Sequence, residues 1–242
     1  MALNAFLLEL ICKAAEQLPR PCRMLSLGYP DMFVDDAQLA RILGPAAANV
    51  QYREDTASIL QWHQLQGKIA RLPETRSVFQ SIGIETSFVD IVASRGFETV
   101  LDLNQPAPPE LLGRYDIVYD GGTMEHCFNV GQVMRNVLGF ARKGGFIIHA
   151  NPMNMYNHGF FNFNPTFYND WYNQSGNAIA SPFYAVYGGV FETRVMTIDG
   201  TARILSVPDG TVLVVAAMKT SDAEPAWPMQ AKYLINPELK VD

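Results

Sequence analysis

Clustered positive charge is scarce in this chain. Its 242 residues carry 18 Lys and Arg against 24 Asp and Glu, a net charge of −6, and no basic run exceeds two residues. Binding to a nucleic-acid backbone needs clustered cations that displace counterions, so no nucleic-acid partner is expected. Cysteine is equally sparse. Cys12, Cys22 and Cys127 share no paired spacing of the kind zinc uses, and an odd number of thiols in a chain of this length fits a reducing, cytoplasmic setting. Long apolar runs are missing as well. The most hydrophobic stretch, MALNAFLLELICKAAEQL, has no early positive charge and is broken by Glu9 and Lys13, so it reads neither as a signal peptide nor as a membrane span. A helix within residues 1–20 is expected instead, with Leu3, Phe6, Leu7, Leu10 and Ile11 facing the sheet or the second copy of a homodimer. No internal repeat or low-complexity segment is visible.

What is present is apolar mass. With 48% hydrophobic and 17% charged residues, the chain can bury a large core as a single domain with decorations. Its most informative stretch runs from Tyr115 to Pro152. Ile117, Val118 and Tyr119 form a short β-prone run that Asp120-Gly121-Gly122 ends; Val130, Val133, Met134, Val137 and Leu138 recur at helical spacing; Arg142-Lys143-Gly144-Gly145 supplies a basic glycine stop; Phe146 to Ala150 is a second strand. Strand, helix and strand make a βαβ unit, hence a parallel sheet with a right-handed crossover. Such sheets bind ligands beyond the carboxyl ends of their strands, which singles out the loop from Asp120 to His126.

Other elements follow the same logic. Met24 to Leu27 reads as the first strand, with Gly28-Tyr29-Pro30-Asp31 as its loop, and Asp35 or Asp36 caps a helix that ends at Gly44-Pro45. Residues 55–82, with Ile59, Leu60, Trp62, His63, Leu65, Ile69 and Leu72, read as a helical insertion. Phe88 to Ile91 and Thr99 to Leu103 are further strand candidates. Asn164-Pro165-Thr166 starts a helix that Gly176 stops, and the runs Val186 to Ile198 and Thr211 to Met218 are β-rich. The tail, residues 221–242, with Pro225, Pro228 and Pro237, reads as extended over the surface or a neighbour.

The motifs YDIVYDGG, MEH and RKGGFIIH, in that order, resemble the fourth and fifth strands of the class I, Rossmann-like S-adenosylmethionine-dependent methyltransferases. The resemblance implies an α/β fold with a seven-stranded, mostly parallel sheet, an antiparallel carboxyl-terminal hairpin and a helical insertion after the first strand. It implies S-adenosylmethionine as cofactor and a small-molecule or sugar-like acceptor, with no membrane partner. Residue by residue, Asp90 would accept the ribose hydroxyls, Asp102 the adenine amino group with Leu103 bordering the ring, and Gly28 would mark the first loop. Strand-end or turn capping is the competing role for both aspartates. The first loop departs from the family: in LSLGYPD, Ser26 stands where an acid is usual and Pro30 where a glycine is, which removes an amide donor. Asp31 then becomes the candidate for the methionine ammonium.

Methyl transfer to oxygen or nitrogen needs an aligned nucleophile and often a base. His126 is the first candidate base and His158, in YNHGFFNF, the second; Asp120 would contact the methionine ammonium or the acceptor. Tyr156, Asn157, Phe160, Phe161 and Phe163 would roof the acceptor, and Trp62 with His63 would form a lid. Glu125-His126 as a loop-ordering pair, the aromatics as plain core and His63 as an incidental helix residue are the alternatives. His126, His149, Asp120 and Glu125 are all present, but no two of the histidines share the short helical spacing of a zinc-binding pair, so no metal is expected. The alternative function is a catalytically inactive binding or scaffold protein on the same fold, for which the altered first loop argues. A nicotinamide dehydrogenase is disfavoured because G-x-G-x-x-G is absent after the first strand.

Overall fold

The structure is a computed structural model that describes residues 2–200, 202 and 205–236. Pro237 and the rest of the tail lie outside the described residues. In chain order the elements are β1 (Ala2–Asn4), α1 (Ala5–Glu16), β2 (Cys22–Leu27), β3 (Asp31–Phe33), α2 (Asp36–Leu43), α3 (Thr56–Trp62), α4 (Thr75–Ser81), β4 (Ile84–Asp90) and β5 (Glu98–Val100). Then come β6 (Tyr115–Asp120), α5 (Val130–Phe140), β7 (Ala141–Pro152), α6 (Pro165–Gln174), β8 (Ala178–Ile179), β9 (Phe183–Gly188), β10 (Thr193–Ile198), β11 (Val212–Met218) and α7 (Ala231–Ile235).

Among the described residues the main sheet has nine strands, ordered β10-β9-β11-β7-β6-β2-β4-β5, with the two-residue β8 paired to β11. From β5 to β7 every pairing is parallel, and β11 then runs antiparallel to both β7 and β9. Two antiparallel steps bring β9 back to the common direction. This is the expected mostly parallel sheet with antiparallel carboxyl-terminal strands; β8 and the edge strand β10 extend it.

Alternation along the central strands splits the core into two layers, because successive side chains point to opposite faces. Ile117, Tyr119, Ile148, Val214 and Ala216 face a cluster with Leu7, Leu8 and Ile11 of α1, Leu39 of α2 and Val78 and Phe79 of α4. Val118, Ile147, Leu213, Val215 and Ala217 face the other, with Val133, Met134, Val137 and Leu138 of α5 and Tyr168, Trp171 and Tyr172 of α6. Each large apolar side chain so buried contributes about 1.5–3 kcal/mol. Helices on both faces explain why the central strands read as near-continuous apolar runs.

Several local expectations shift. The buried stripe of α1 is Leu7, Leu8, Ile11, Ala14 and Ala15, whereas Phe6 and Leu10 are half-buried and Leu3 belongs to β1. Loop residue Asp31 begins β3, which pairs in parallel with β1. Within the insertion only α3 and α4 are helical. Leu65, Ile69 and Leu72 lie between them in turns and extended chain, and Leu72 packs with Phe33, Ile59 and Leu60 in a third small cluster. The basic glycine run is not a helix stop, because β7 already starts at Ala141. There Arg142 pairs with Asp116, Gly144 takes φ +80°, and a Cβ on Gly145 would come within 2.9 Å of the Asp116 carbonyl. Close approach of β6 and β7 is what requires the glycine. The third strand ends at Val100, short of Leu103. The tail is anchored up to α7: Trp227 lies 6.1 Å from Trp171, with the Arg135 guanidinium 4.4 Å from its ring. No helix among the described residues is long and apolar enough to cross a membrane.

Candidate functional site

β6 delivers Asp120 to the carboxyl edge of the sheet, and the chain turns at once. Gly121 approaches Tyr119 so closely that a Cβ would lie 2.5 Å from the phenol ring, and Gly122 adopts φ +97°. A single 3-10 turn, Met124–His126, follows, tied back when Thr123 Oγ1 donates to the Leu27 carbonyl at 2.6 Å.

Asp120 is fully buried and both its oxygens are taken. Oδ1 accepts the amides of Thr123 and Met124, each at 3.2 Å; Oδ2 accepts His149 Nδ1 at 3.0 Å and Asn151 Nδ2 at 3.0 Å. It orders the loop and the network behind it and has no face left for an ammonium or an acceptor. His149 Nε2 stands 2.7 Å from the Tyr172 hydroxyl. With Nδ1 donating to the carboxylate, Nε2 accepts from that hydroxyl. Asn151 also donates to Glu125 Oε2 at 3.0 Å and accepts from the Tyr168 hydroxyl at 2.6 Å. Asn151, Tyr168 and Tyr172 escaped the sequence reading. Their one visible signal is His149 and Asn151, two apart on the same face of β7 just after its apolar run Phe146–Ile148.

Glu125 is fully buried, and burial followed by the charge of Asp120 pushes its carboxyl up to about 7. Its Oε1 has no hydrogen-bond partner and faces His158 Nε2 at 3.5 Å and His126 Nε2 at 3.9 Å. The structure thus brings the two candidate histidines together, with ring centroids 5.2 Å apart, over a carboxylate assigned only a loop-ordering role from sequence. Burial and the neighbouring His158 hold His126 below its usual range, so it is neutral at pH 7. The three thiols are free, and burial raises each to about 11, which leaves them protonated at neutral pH.

This cluster borders a cavity of about 330 Å³ whose wall also includes Gly121, Gly122, Met155, Tyr187 and His63. Of the aromatic segment expected to roof an acceptor, Phe163 is core, Tyr156 and Phe160 are exposed, and only Met155 and His158 reach the cavity wall. A second cavity, about 470 Å³, opens at the carboxyl ends of β2 and β4 between Tyr29, Asp31, Trp62, His63, Asp90 and Arg95. His63 borders both. A larger hollow of about 600 Å³ lies near Gly113, Gly139 and Lys219, at the amino ends of β6 and β7, where parallel sheets do not place their ligands.

The cofactor candidates are spread around the second cavity with unequal freedom. Asp90 Oδ1 accepts the amides of Ile91 and Val92 at 2.7 and 3.5 Å, which leaves Oδ2 and two exposed apolar side chains beside it. Asp31 is 6% exposed and bound on Oδ1 by Arg95 at 2.9 Å and Arg53 at 3.6 Å, and on Oδ2 by His63 at 3.1 Å. Gly28 turns at φ +79°, but its amide donates to Val89 and its carbonyl accepts the buried Ser26 hydroxyl, so it contributes the turn alone. Asp102 is held by Asn104 at 2.8–2.9 Å in a local turn, and Leu103 is buried beneath it in the core. Neither borders a cavity described above.

Solved structures share this fold. The carbon methyltransferase CurJ superposes with a TM-score of 0.51 at 15% identity, over 90% of this chain and 54% of that one. The fold is that of the Rossmann-like methyltransferases. The CMeT domain of the citrinin polyketide synthase gives 0.46 at 14% identity over 90% and 52% of the two chains. The Burkholderia thailandensis 1,6-didemethyltoxoflavin-N1-methyltransferase, solved with 1,6-didemethyltoxoflavin and S-adenosylhomocysteine, gives 0.37 at 14% over 88% and 77%. The chain spans about half the length of the first two. No family model and no curated protein sequence matches it. The two cavities that meet at His63 lie at the carboxyl edge of the parallel strands, the edge where open parallel sheets in general place their ligands.

Proposed function

We propose that the chain binds S-adenosylmethionine in the 470 Å³ cavity at the carboxyl ends of β2 and β4 and transfers its methyl group to a small molecule held in the adjoining 330 Å³ cavity. The observation that carries this reading is the pair of cavities sharing His63, one lined by Asp90 and Arg95, the other by His126 and His158. The donor set fits a nucleoside joined to an amino acid. Asp90 Oδ2 is free for ribose hydroxyls, Ile91 and Val92 offer an apolar face for a base, and Arg95 with Asp31 supplies opposite charges for a zwitterion.

When bound, the cofactor supplies an electrophilic methyl group. The chain's own part is to hold the acceptor in line and to take its proton, and neutral His126, seconded by His158, is the group placed for that. The 330 Å³ volume suits a small or sugar-like acceptor. Trp62 and His63, at the carboxyl end of α3, act as a lid over the cofactor cavity, and His63 also borders the acceptor cavity.

Calorimetry of the full chain with S-adenosylmethionine and S-adenosylhomocysteine tests the reading. One-to-one binding is expected, weakened about tenfold or more in Asp90→Ala, since a hydrogen bond to a charged group is worth about 1.5–3 kcal/mol. Absence of heat with either ligand at about 1 mM rules it out. A binding protein that has lost catalysis is the second reading. Pro30, standing where a glycine is usual, favours it, as do the Tyr29 ring packed 4.5 Å from Phe88 and 5.7 Å from Phe97 beside the cavity and the engagement of Asp31 by two arginines. Cofactor binding with no turnover of any acceptor would select it.

A further inference from the structure

We propose that Glu125, His126 and His158 form a binding site for one divalent first-row transition-metal ion. Spacing in the sequence hides this site, because the third ligand lies 32 positions beyond its neighbour and reaches it only through the fold. One ligand atom from each residue lies within 4.8 Å of the other two. Adjacent donors on a tetrahedral ion with bonds near 2.05 Å stand about 3.3 Å apart, so the observed 3.5 and 3.9 Å separations close with small side-chain rotations. Both imidazoles are about half exposed and free to make them.

Glu125 Oε1 is the observation that points to a missing partner. The side chain is fully buried, and Oε1 makes no hydrogen bond, although a buried carboxylate oxygen left unpaired is costly. Its sister Oε2 is fixed by Asn151, itself held by Tyr168 and Asp120, which is the outer support that orients a metal-binding carboxylate. The loop carrying His158 is docked on the same residue. Phe160 N donates to the Glu125 carbonyl at 2.8 Å, and a Cβ on Gly159 would come within 2.8 Å of that oxygen, so only glycine allows the approach. Asn157, immediately before His158, takes the left-handed conformation at φ +57° to make the turn.

Two imidazoles and one carboxylate suit zinc, iron(II), cobalt(II) or manganese(II) better than calcium or magnesium, which favour oxygen-only shells. All three ligands line the 330 Å³ cavity, so the ion's remaining positions would be open to a ligand with hydroxyl or carboxylate oxygens. That this ligand is the methyl acceptor rests on the function proposed above, and with the ion bound the two imidazoles would hold the acceptor oxygen through the metal instead of taking its proton themselves; metal binding itself does not rest on that function.

The test is titration of the full chain, treated with chelator and desalted, with cobalt(II) alone and no cofactor, read by its visible ligand-field bands. One equivalent in a four- or five-coordinate environment is expected. His126→Ala and His158→Ala, which remove half-exposed side chains and leave the melting transition in place, should each weaken binding at least about tenfold, as should Glu125→Gln. Absence of those bands, or binding that survives in the His126→Ala/His158→Ala double variant, overturns the proposal. Loss of the metal claim with S-adenosylmethionine binding intact leaves the cofactor reading standing, and cobalt binding without cofactor binding does the reverse.

Discussion

Replacing Asp120 with alanine is expected to destabilise the fold by about 3–5 kcal/mol and to lower its melting temperature by roughly 6–20 °C, the range for a chain of this size. The cause lies in what the substitution strands. Four donors converge on this carboxylate, namely the amides of Thr123 and Met124, His149 Nδ1 and Asn151 Nδ2, and the last three belong to fully buried residues that are left without this acceptor once it is gone. Each buried donor left unsatisfied costs about 1–3 kcal/mol before any relaxation. Asp120→Asn should cost less, about 1–2 kcal/mol. Asparagine keeps an acceptor for the two amides, and His149 can switch tautomer so that Nδ1 accepts and Nε2 donates to Tyr172; only the contact with Asn151 Nδ2 stays donor against donor. Urea denaturation of the three proteins checks the order wild type, Asp120→Asn, Asp120→Ala. A loss under about 1 kcal/mol in the alanine variant would contradict the network's role.

The second large effect is expected at Asp31. Its carboxylate joins Arg53 and Arg95 to His63, and through His63 it ties α3 to the border between the two cavities. Breaking a buried ion pair by removing one partner costs about 3–5 kcal/mol, but both arginines also bind Asp55, so about 2–3 kcal/mol is expected for Asp31→Ala. Cofactor affinity should fall at least about tenfold in the same variant, because Arg95 and His63 lose the group that aims them. Denaturation and calorimetry on one preparation separate the two effects. Unchanged affinity with the stability loss would reduce Asp31 to a structural tie.

Much of this fold was legible because its signals are local. The run from Tyr115 to Pro152 carries strand, turn, helix and strand in sequence-adjacent residues, and the caps at Asp35 and Asn164 sit directly before their helices. The edges were less legible. Gly144-Gly145 resembles a helix stop, yet the requirement it meets is the approach of β6 to β7, a tertiary fact. The site was hardest, for the same reason. His126 and His158 stood out as histidines in polar loops, but nothing local reveals that Gly159 presses one loop onto Glu125 or that Asn151 fixes the carboxylate between them. Asp120 was conspicuous at a strand end, and only the positions of His149 and Asn151 show that its charge is consumed inside the protein. Asp102 and Leu103 follow the third strand, which ends at Val100 and not at Leu103, and the turn that Asn104 closes around them is set by side-chain bonds that the apolar pattern does not show.

The central claim is that the carboxyl edge of β2, β4 and β6 is one continuous cofactor and acceptor site. A crystal structure of the full chain with S-adenosylhomocysteine tests it most directly. The account predicts the ribose hydroxyls within hydrogen-bonding distance of Asp90, the amino-acid end beside Arg95 and His63, and the sulfur turned toward the cavity of His126 and His158. Density for the ligand at the amino ends of the strands, or at the carboxyl edge with Asp90 still bound only to its own loop, would contradict it.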